Sequence, residues 1–520
     1  MVDSNYRWRV LLVVIAASFM VLLDTTVVNV ALPSIMTAFN TTLDRAQLVL
    51  TMYLFAIAIV IPLTGYLGDR LGTKRLFIMC LTGFTIGSGL CTLAWDINSL
   101  IFFRIVQGMA GGILMPLGLA LLFRNTPRDQ QGFMVSLLGI PVLMAPILGP
   151  ILSGYLVETA SWRLIWLPHI PIGIIGIFLA STMLQETERN QNISFDYKGF
   201  ILAGVGFCTA LLALTRVTQD GWTSNSVLLM FGIAVVALVG WIYVELTEDE
   251  PLLDLRIFRN STYTQAAIIY FVSTVIMFAA LFLLPLFLQT VKGLSPIQTG
   301  LLLMPEAIAL ALVLPIAGRL YDKLGPLPLI VPGLLGMSYA MFQLHNLDIT
   351  TSNSDLIKIL VLRGASMGLM AMPAFTLAMA VHPPHAVARA SALTNVLRQM
   401  FPAFGIAFFA TILQTRQAFY SSTLAQTVTP DSLAALQVIS QIKETASQFG
   451  ASDAVTSQIA VQVLDGLVQQ QAAIKAFGDV FLVAAVIALA AVPIALMLRR
   501  PKDLFEEEPI TATAVAEPAD

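Results

Sequence analysis

Gly65-Tyr66-Leu67-Gly68-Asp69-Arg70-Leu71-Gly72 recurs as Gly318-Arg319-Leu320-Tyr321-Asp322-Lys323-Leu324-Gly325. Both outer glycines, two leucines, the aspartate and the basic residue after it match at a constant offset of 253 residues. Each copy ends a long apolar run with charge and glycine, as a short cytoplasmic loop after a membrane span does. The chain therefore reads as two related halves, an arrangement that recurs in membrane transporters with a site between the repeats.

The rest of the composition agrees. Of 520 residues 57% are hydrophobic and only 11% charged, against roughly 25% charged in soluble domains; an ordinary soluble enzyme is excluded. At about 20 apolar residues per crossing the chain can furnish about 14 spans. Apolar runs lie near 10–33, 46–67, 75–95, 99–123, 133–157, 164–184, 197–217, 226–245, 263–290, 298–318, 328–344, 356–381, 389–414 and 475–498. The first copy of the repeat follows span 2 and the second follows span 10, two spans more than six-helix halves allow, so the runs near 197–217 and 226–245 are an insertion. The expected fold is an all-α membrane protein of fourteen transmembrane helices. It divides into an N-terminal six-helix bundle (1–190), two inserted helices (191–250), a C-terminal six-helix bundle (251–500) with a long outer loop (415–474), and a disordered cytoplasmic tail (501–520).

An even number of spans places both termini on one side. With the N-terminus in the cytoplasm, the inner segments collect most of the Lys and Arg residues, including Arg7, Arg9, Arg70, Lys74, Arg75, Arg124, Arg319, Lys323, Arg499 and Arg500, as the positive-inside rule requires. Trp8, Trp95, Trp162, Trp222 and Trp241 fall near span ends, where interfacial tryptophans sit. The first apolar run is too long for a signal-peptide core and is expected to stay as helix 1. Cys80, Cys91 and Cys208 lie inside apolar runs and read as packing residues. In the outer loop, Leu433/Leu436/Ile439/Ile442 and Val455/Ile459/Val463/Leu467 have helical spacing, predicting two amphipathic helices.

Charges inside spans are costly and need a partner or a task. Asp24 sits mid-span in helix 1, with Thr25 and Asn29 extending a polar sector; it either locks helix packing or forms a proton or cationic-substrate site. Glu306, after Pro305 near the middle of span 10, is either a proton carrier or a structural partner for Arg363 or Arg398. Arg104, Gln107, Gly108, Gly111, Met115 and Gly118 share one face of span 4, a cation on a ridge of small residues that lets another helix approach; an arginine snorkelling at the helix end is the plainer reading. Span 5 carries Pro146, Gly149, Pro150, Ser153 and Gly154, predicting a bend against a close neighbour, by packing or as a moving gate. Ser391, Asn395, Arg398, Pro402 and Gly405 form one stripe on span 13.

Other chemistry has no signal. The net charge of −3 comes without a basic block, so nucleic acid is not an expected partner. There is no GxxxxGK[ST] phosphate loop. His382-Pro-Pro-His385 lacks further ligands for a metal, the glycines at 83, 87 and 89 sit in a span without a preceding strand, and no nucleophile or metal constellation of an intramembrane enzyme is present. No cofactor or metal is expected.

Taken together these residues resemble the major facilitator superfamily and, within it, the fourteen-helix drug:proton antiporters that include multidrug efflux pumps. The Asp24 segment looks like that group's helix-1 motif, Gly65–Arg75 like the cytoplasmic gating loop, Arg104–Gly112 like the helix-4 proton-transfer motif and Ala145–Gly154 like the helix-5 antiporter motif. The resemblance implies proton coupling through Asp24 and Arg104; Glu306, read from its own place in span 10, is a second candidate acid for proton coupling. Candidate substrate contacts, read from the polar faces of the spans themselves, are Asp24, Thr25, Asn29, Gln107, Glu306, Asn395 and Arg398. Gating or structural roles fall to Gly65, Asp69, Arg70, Gly72, Arg75, Pro146, Gly149, Pro150, Gly154 and Asp322. The chain departs from the family pattern at Ser153, Trp166, His169, Glu306 and Phe401-Pro402. The implied activity is export of amphipathic or cationic drug-like compounds across the cytoplasmic membrane in exchange for protons, with a periplasmic adaptor docking at loop 415–474. The alternative on the same fold is an exporter or importer of one specific metabolite or lipid.

Overall fold

The computed structural model describes residues 6–41, 43–187, 195–248, 251, 253, 255–294, 296–382, 387–427, 440 and 453–498. Their long elements are α1 (Tyr6–Phe39), α2 (Leu43–Val60), α3 (Leu63–Leu71), α4 (Thr73–Thr92), α5 (Ile97–Arg124), α6 (Gln131–Thr159), α7 (His169–Met183), α8 (Tyr197–Asp220) and α9 (Asn225–Thr247). The chain continues through α10 (Ser261–Thr290), α11 (Pro296–Leu324), α12 (Leu327–His345), α13 (Asn353–Ala380), α14 (Val387–Thr427), α15 (Asp453–Ala490) and α16 (Val492–Leu496). A helix lies at each of the fourteen predicted spans. Among the described residues, eleven helices are long and apolar enough to cross a membrane by themselves, and α2 with α3 forms a further crossing bent by 58°. The bend falls at Ile61-Pro62, where proline removes a backbone donor and clashes with the preceding turn; the sequence reading gives this segment as one span near 46–67 and does not mark the bend.

The internal repeat is visible in the packing. In the first half α1, α2 and α4 surround α5; in the second, α10, α11 and α12 surround α13. The halves meet where α6 packs on α11 and α5 on α14. The inserted helices α8 and α9 pair with each other and lean on α2 and α14, and the Trp222 Nε1–H donates to Thr411 Oγ1 at 2.6 Å. The outward face of α9, with Val235, Val236 and Val239, is exposed, as a lipid-facing surface of a spanning helix is.

Two sequence expectations are corrected. The repeated motif is not an extended loop: Asp69 and Arg70 lie in the last turn of α3, and Asp322 and Lys323 in the last turn of α11. Only the final glycine of each copy leaves the helix, Gly72 at φ 87° and Gly325 at φ 83°, the left-handed region that glycine alone enters freely. The outer loop is also shorter than expected. α14 runs on to Thr427 and α15 starts at Asp453, so residues 415–427 and 453–474 are helical extensions of spans. The predicted Val455–Leu467 helix merges into α15, because helical periodicity cannot distinguish a separate amphipathic helix from the projecting end of a longer one. The Leu433–Ile442 helix lies outside the described residues, as does the 501–520 tail. At 41 residues α14 is about 60 Å long, roughly twice the hydrocarbon thickness of about 30 Å. Its projecting end is tied to α15 by Tyr420 Oη–H to Asp479 Oδ2 at 3.0 Å and by Gln469 Nε2–H to Ser421 Oγ at 2.9 Å.

Candidate functional site

Asp24 is wholly buried inside the first half. Its Oδ2 accepts from Arg104 Nη1 at 2.5 Å, and its Oδ1 accepts from Gln107 Nε2 at 3.0 Å. Gln107 also donates to Ser88 Oγ at 2.8 Å and accepts from Arg104 Nη1 at 2.6 Å. The guanidinium lies over the Tyr53 ring, 3.8 Å from its centroid, and Nε donates to the Val49 carbonyl at 3.3 Å. His169 completes the shell, its Nε2 3.9 Å from Asp24 Oδ1 and its Nδ1 3.3 Å from the Trp166 carbonyl. Four helices, α2, α4, α5 and α7, thus gather polar groups around one carboxylate that an apolar interior could not leave alone. Arg104 is buried and paired, so it does not snorkel.

The second half holds a parallel pair. Arg363, on α13, donates from Nη2 to Glu306 Oε1 on α11. This chooses Arg363 over Arg398 as the Glu306 partner. Arg104 and Arg363 stand on the corresponding central helices α5 and α13, yet their acids stand on non-corresponding ones: α1 in the first half and α11 in the second.

Neither pair lines the cavity between the halves. That cavity, of about 50 Å³, is lined by Ser18, Met115, Leu119, Val135, Leu138, Tyr270, Met372, Phe375, Asn395 and Arg398. Both halves contribute, and Arg398 is the one charged residue of this lining. Asn395 Nδ2 donates to the Ser391 carbonyl at 2.8 Å, which orients its carboxamide on α14. Thr25 shares the stripe of Ser18, seven residues on, and its hydroxyl donates to the Leu22 carbonyl at 2.7 Å. The side chains of Asn29, Pro146, Pro150 and Pro402 lie outside the described residues.

Below the cavity, at the end of the bundle where α1 begins, α6 and α11 clamp the halves together. The Gly132 and Phe133 amides, at the start of α6, donate to Asp322 Oδ1 and Oδ2 at 2.8 and 3.0 Å. A carboxylate there satisfies orphan helix donors and meets the positive end of the helix dipole. A Cβ on Gly132 would stand 2.8 Å from the Gly318 carbonyl, so the crossing depends on bare backbone. Toward the opposite end of the same helices, Gly154 and Gly300 have open space where a Cβ would be. Asp69, Arg70 and Gly65 lie on α3, which packs against α14 at the same end as the clamp; Arg70 Nη1–H donates to Tyr66 Oη, and Arg75 is exposed.

α6 reads α1 directly. Thr26 Oγ1 donates to the Ala145 carbonyl at 3.1 Å, and Ser153 Oγ donates to the Val27 carbonyl at 2.7 Å. A Cβ on Gly149 would collide with Thr26. Rather than breaking, α6 stays one continuous helix from Gln131 to Thr159. Sequence reasoning noted His169 only as a departure and passed over Tyr53, Tyr270 and Phe375. A histidine inside an apolar run was the available signal for the first; aromatic residues in apolar spans carry none.

Two repeated bundles closed at one end around a shared cavity are the architecture of secondary transporters. A model of the Major Facilitator Superfamily matches residues 14–406, and the chain belongs to that superfamily. It is 33% identical over 423 residues to the multidrug resistance protein B homolog of Mycobacterium tuberculosis, covering 79% of this chain and 77% of that one. It is 30% identical over 461 residues to the multidrug export protein EmrB of Escherichia coli, covering 86% and 88%. Among solved structures, a double Trp mutant of XylE superposes with a TM-score of 0.62 at 14% identity over 96% of this chain and 98% of that one, a likeness of fold alone.

Proposed function

We propose that this protein exports amphipathic drug-like compounds across the cytoplasmic membrane in exchange for protons, with both termini in the cytoplasm. The observation that carries the reading is the enclosed Asp24–Arg104 pair, bound into α1. A proton on Asp24 removes the charge that holds Arg104, leaving the guanidinium with Tyr53, Val49 and Gln107. That loosens α1 from α5. Because Thr26 and Val27 fasten α1 to α6, and α6 carries the clamp to Asp322, the change is felt at the cytoplasmic closure of the cavity. Proton and substrate then act at separate places and compete through conformation, which is how alternating access couples them. Glu306 with Arg363 supplies a second pair of the same kind in the other half.

Export rather than import follows the relatives named for multidrug resistance and export, as does the absence of a catalytic role. The projecting ends of α14 and α15 expose Phe419, Ile459, Val461, Val463 and Leu467. In this reading they receive a periplasmic adaptor. The test is uptake of a fluorescent amphipath into inverted vesicles under an imposed proton gradient. Uptake by the wild type that is lost in Asp24→Asn at equal expression supports the proposal. Gradient-independent uptake, or none across a broad panel of amphipaths, overturns it in favour of one specific metabolite or lipid.

A further inference from the structure

His169 begins α7 and is wholly buried, yet it has no task in an exchange that runs on Asp24 and Arg104 alone. Gly173, one turn on, admits Thr85 of α4 where a Cβ would collide, and the imidazole lies against the Phe84 ring, centroids 6.1 Å apart. The ring is therefore held from behind, and its two nitrogens look at oxygens. Nδ1 meets the Trp166 carbonyl at 3.3 Å and Nε2 meets Asp24 Oδ1 at 3.9 Å; Nε2 has no hydrogen-bond partner among the described residues. The Met20 carbonyl of α1, also near the ring, accepts too. The charged groups that bear on the ring are Asp24 from α1 and Arg104 from α5, with Tyr53 from α2 and the Cys91 thiol from α4 farther round the same carboxylate. Arg163, on the short helix before α7, turns instead to the Ala94 carbonyl at 3.1 Å.

Carbonyl and carboxylate oxygens only accept, and a neutral imidazole has one N–H for its two nitrogens. Whichever tautomer it adopts, one ring nitrogen turns a lone pair toward an acceptor, in an interior where an unmet polar atom is costly. One further proton resolves this, because placed between Nε2 and Oδ1 it leaves Nδ1–H for Trp166. We propose that His169 is a second proton-holding residue of the exchange, the coupling proton lying between Asp24 Oδ1 and His169 Nε2. Oδ1 is the oxygen on the His169 side, whereas Oδ2 is turned to Arg104. On uptake one O–H or N–H bond forms and the gap closes to hydrogen-bond length; no other covalent bond changes, and the proton returns to water on release. With the proton in place the charge of the carboxylate is answered from α7, and its hold on Arg104 of α5 slackens. The proposal rests on the proton-exchange reading and deepens it by adding the group that shares the proton with Asp24.

The experiment uses the full-length protein in lipid bilayers, labelled with nitrogen-15 in its four histidine rings and followed by solid-state NMR. The His169 signals are those that remain when His345, His382 and His385 are replaced by glutamine. Between about pH 9 and about pH 5 the Nε2 signal of His169 is expected to move upfield from the position of a bare ring nitrogen, and in Asp24→Asn to stay in place. The second readout is the pH midpoint of the Asp24 carboxyl band in the infrared, identified by its loss in Asp24→Asn. His169→Leu is expected to shift that midpoint down by about one pH unit, a tenfold loss of proton affinity, because the bound proton loses an acceptor. His169→Gln, whose amide oxygen reaches the same place, is expected to keep most of it. A role in packing alone would lower the melting temperature and leave the midpoint unmoved. An Nε2 signal that stays bare across this range, one that moves equally in Asp24→Asn, or a midpoint unchanged in His169→Leu overturns the proposal. Should His169→Leu fail to fold, the wild-type titration and His169→Gln still decide. Proton-driven uptake by a protein whose Nε2 signal stays bare leaves the exchange standing without His169. An Nε2 signal that follows Asp24 in a protein that moves no substrate keeps the shared proton and removes the exchange reading.

Discussion

Asp24 and Arg104 were legible in the sequence as charges an apolar span cannot leave alone. What the sequence withheld was that they answer each other. Spacing along one helix fixes which residues share a face, but the partner across a helix pair depends on how both helices are rotated, and no periodicity reports that. The same gap left Glu306 with two candidate arginines until the packing of α11 on α13 chose Arg363. Removing one member of a buried pair strands the other, at a cost of about 3–5 kcal/mol. Arg104→Leu should therefore lower the thermal unfolding temperature in detergent clearly more than the double variant Arg104→Leu with Asp24→Leu, in which no charge is stranded. Transport should be absent from both. Gln107→Leu leaves oxygens of Asp24 and Ser88 short of a donor and should cost about 1–3 kcal/mol, read from the same melting curves.

At the level of elements, the places of the long apolar helices were readable because hydropathy over about 20 residues is a strong signal. Continuity was not. A proline at 62 breaks one span into α2 and α3, whereas α6 remains continuous with prolines at 146 and 150. The difference lies in tertiary support, since Thr26 and Ser153 bridge α1 to α6 along that stretch. Close crossings set the remaining limits. A Cβ on Gly364 would collide with the Glu306 carbonyl, and backbone cannot yield as a flexible side chain can. Gly364→Ala should part α13 from α11 and destabilise the protein by about 1–3 kcal/mol, measurable as an earlier loss of monodispersity on heating. A drop no greater than that of Gly154→Ala, where the space is open, would contradict this packing.

For the whole molecule, the repeat announced two halves, but not the face at which they are closed. The clamp of Asp322 on the α6 amides answers that, and charge-assisted bonds of this type contribute about 1.5–3 kcal/mol each. A loss of even 1.4 kcal/mol shifts a conformational equilibrium tenfold. Asp322→Asn should accordingly raise the rate at which a membrane-impermeant maleimide labels Ser136→Cys from the cytoplasmic face; Ser136 is buried beside Gly318 in the clamp. Of the native cysteines Cys80 and Cys91 are buried, and Cys208, half-buried, is replaced by alanine in the labelling background. Substrate charge also sets the energetics. Exchanging one proton for a monovalent cation moves no net charge, whereas exchanging it for an anion moves two, each worth about 2.3 kcal/mol per 100 mV. Export of an anionic substrate should therefore respond to an imposed membrane potential at constant pH, and export of a monovalent cation at one proton per substrate should not.

The most direct measurement of the central claim is proton release from the purified protein when substrate is added, followed with a pH indicator in weakly buffered solution. The account predicts that the wild type releases protons on binding a transported amphipath, and that Asp24→Asn still binds the compound but releases markedly fewer. Undiminished release from Asp24→Asn would contradict it, because the buried carboxylate paired with Arg104 would then not be where the exchanged proton resides.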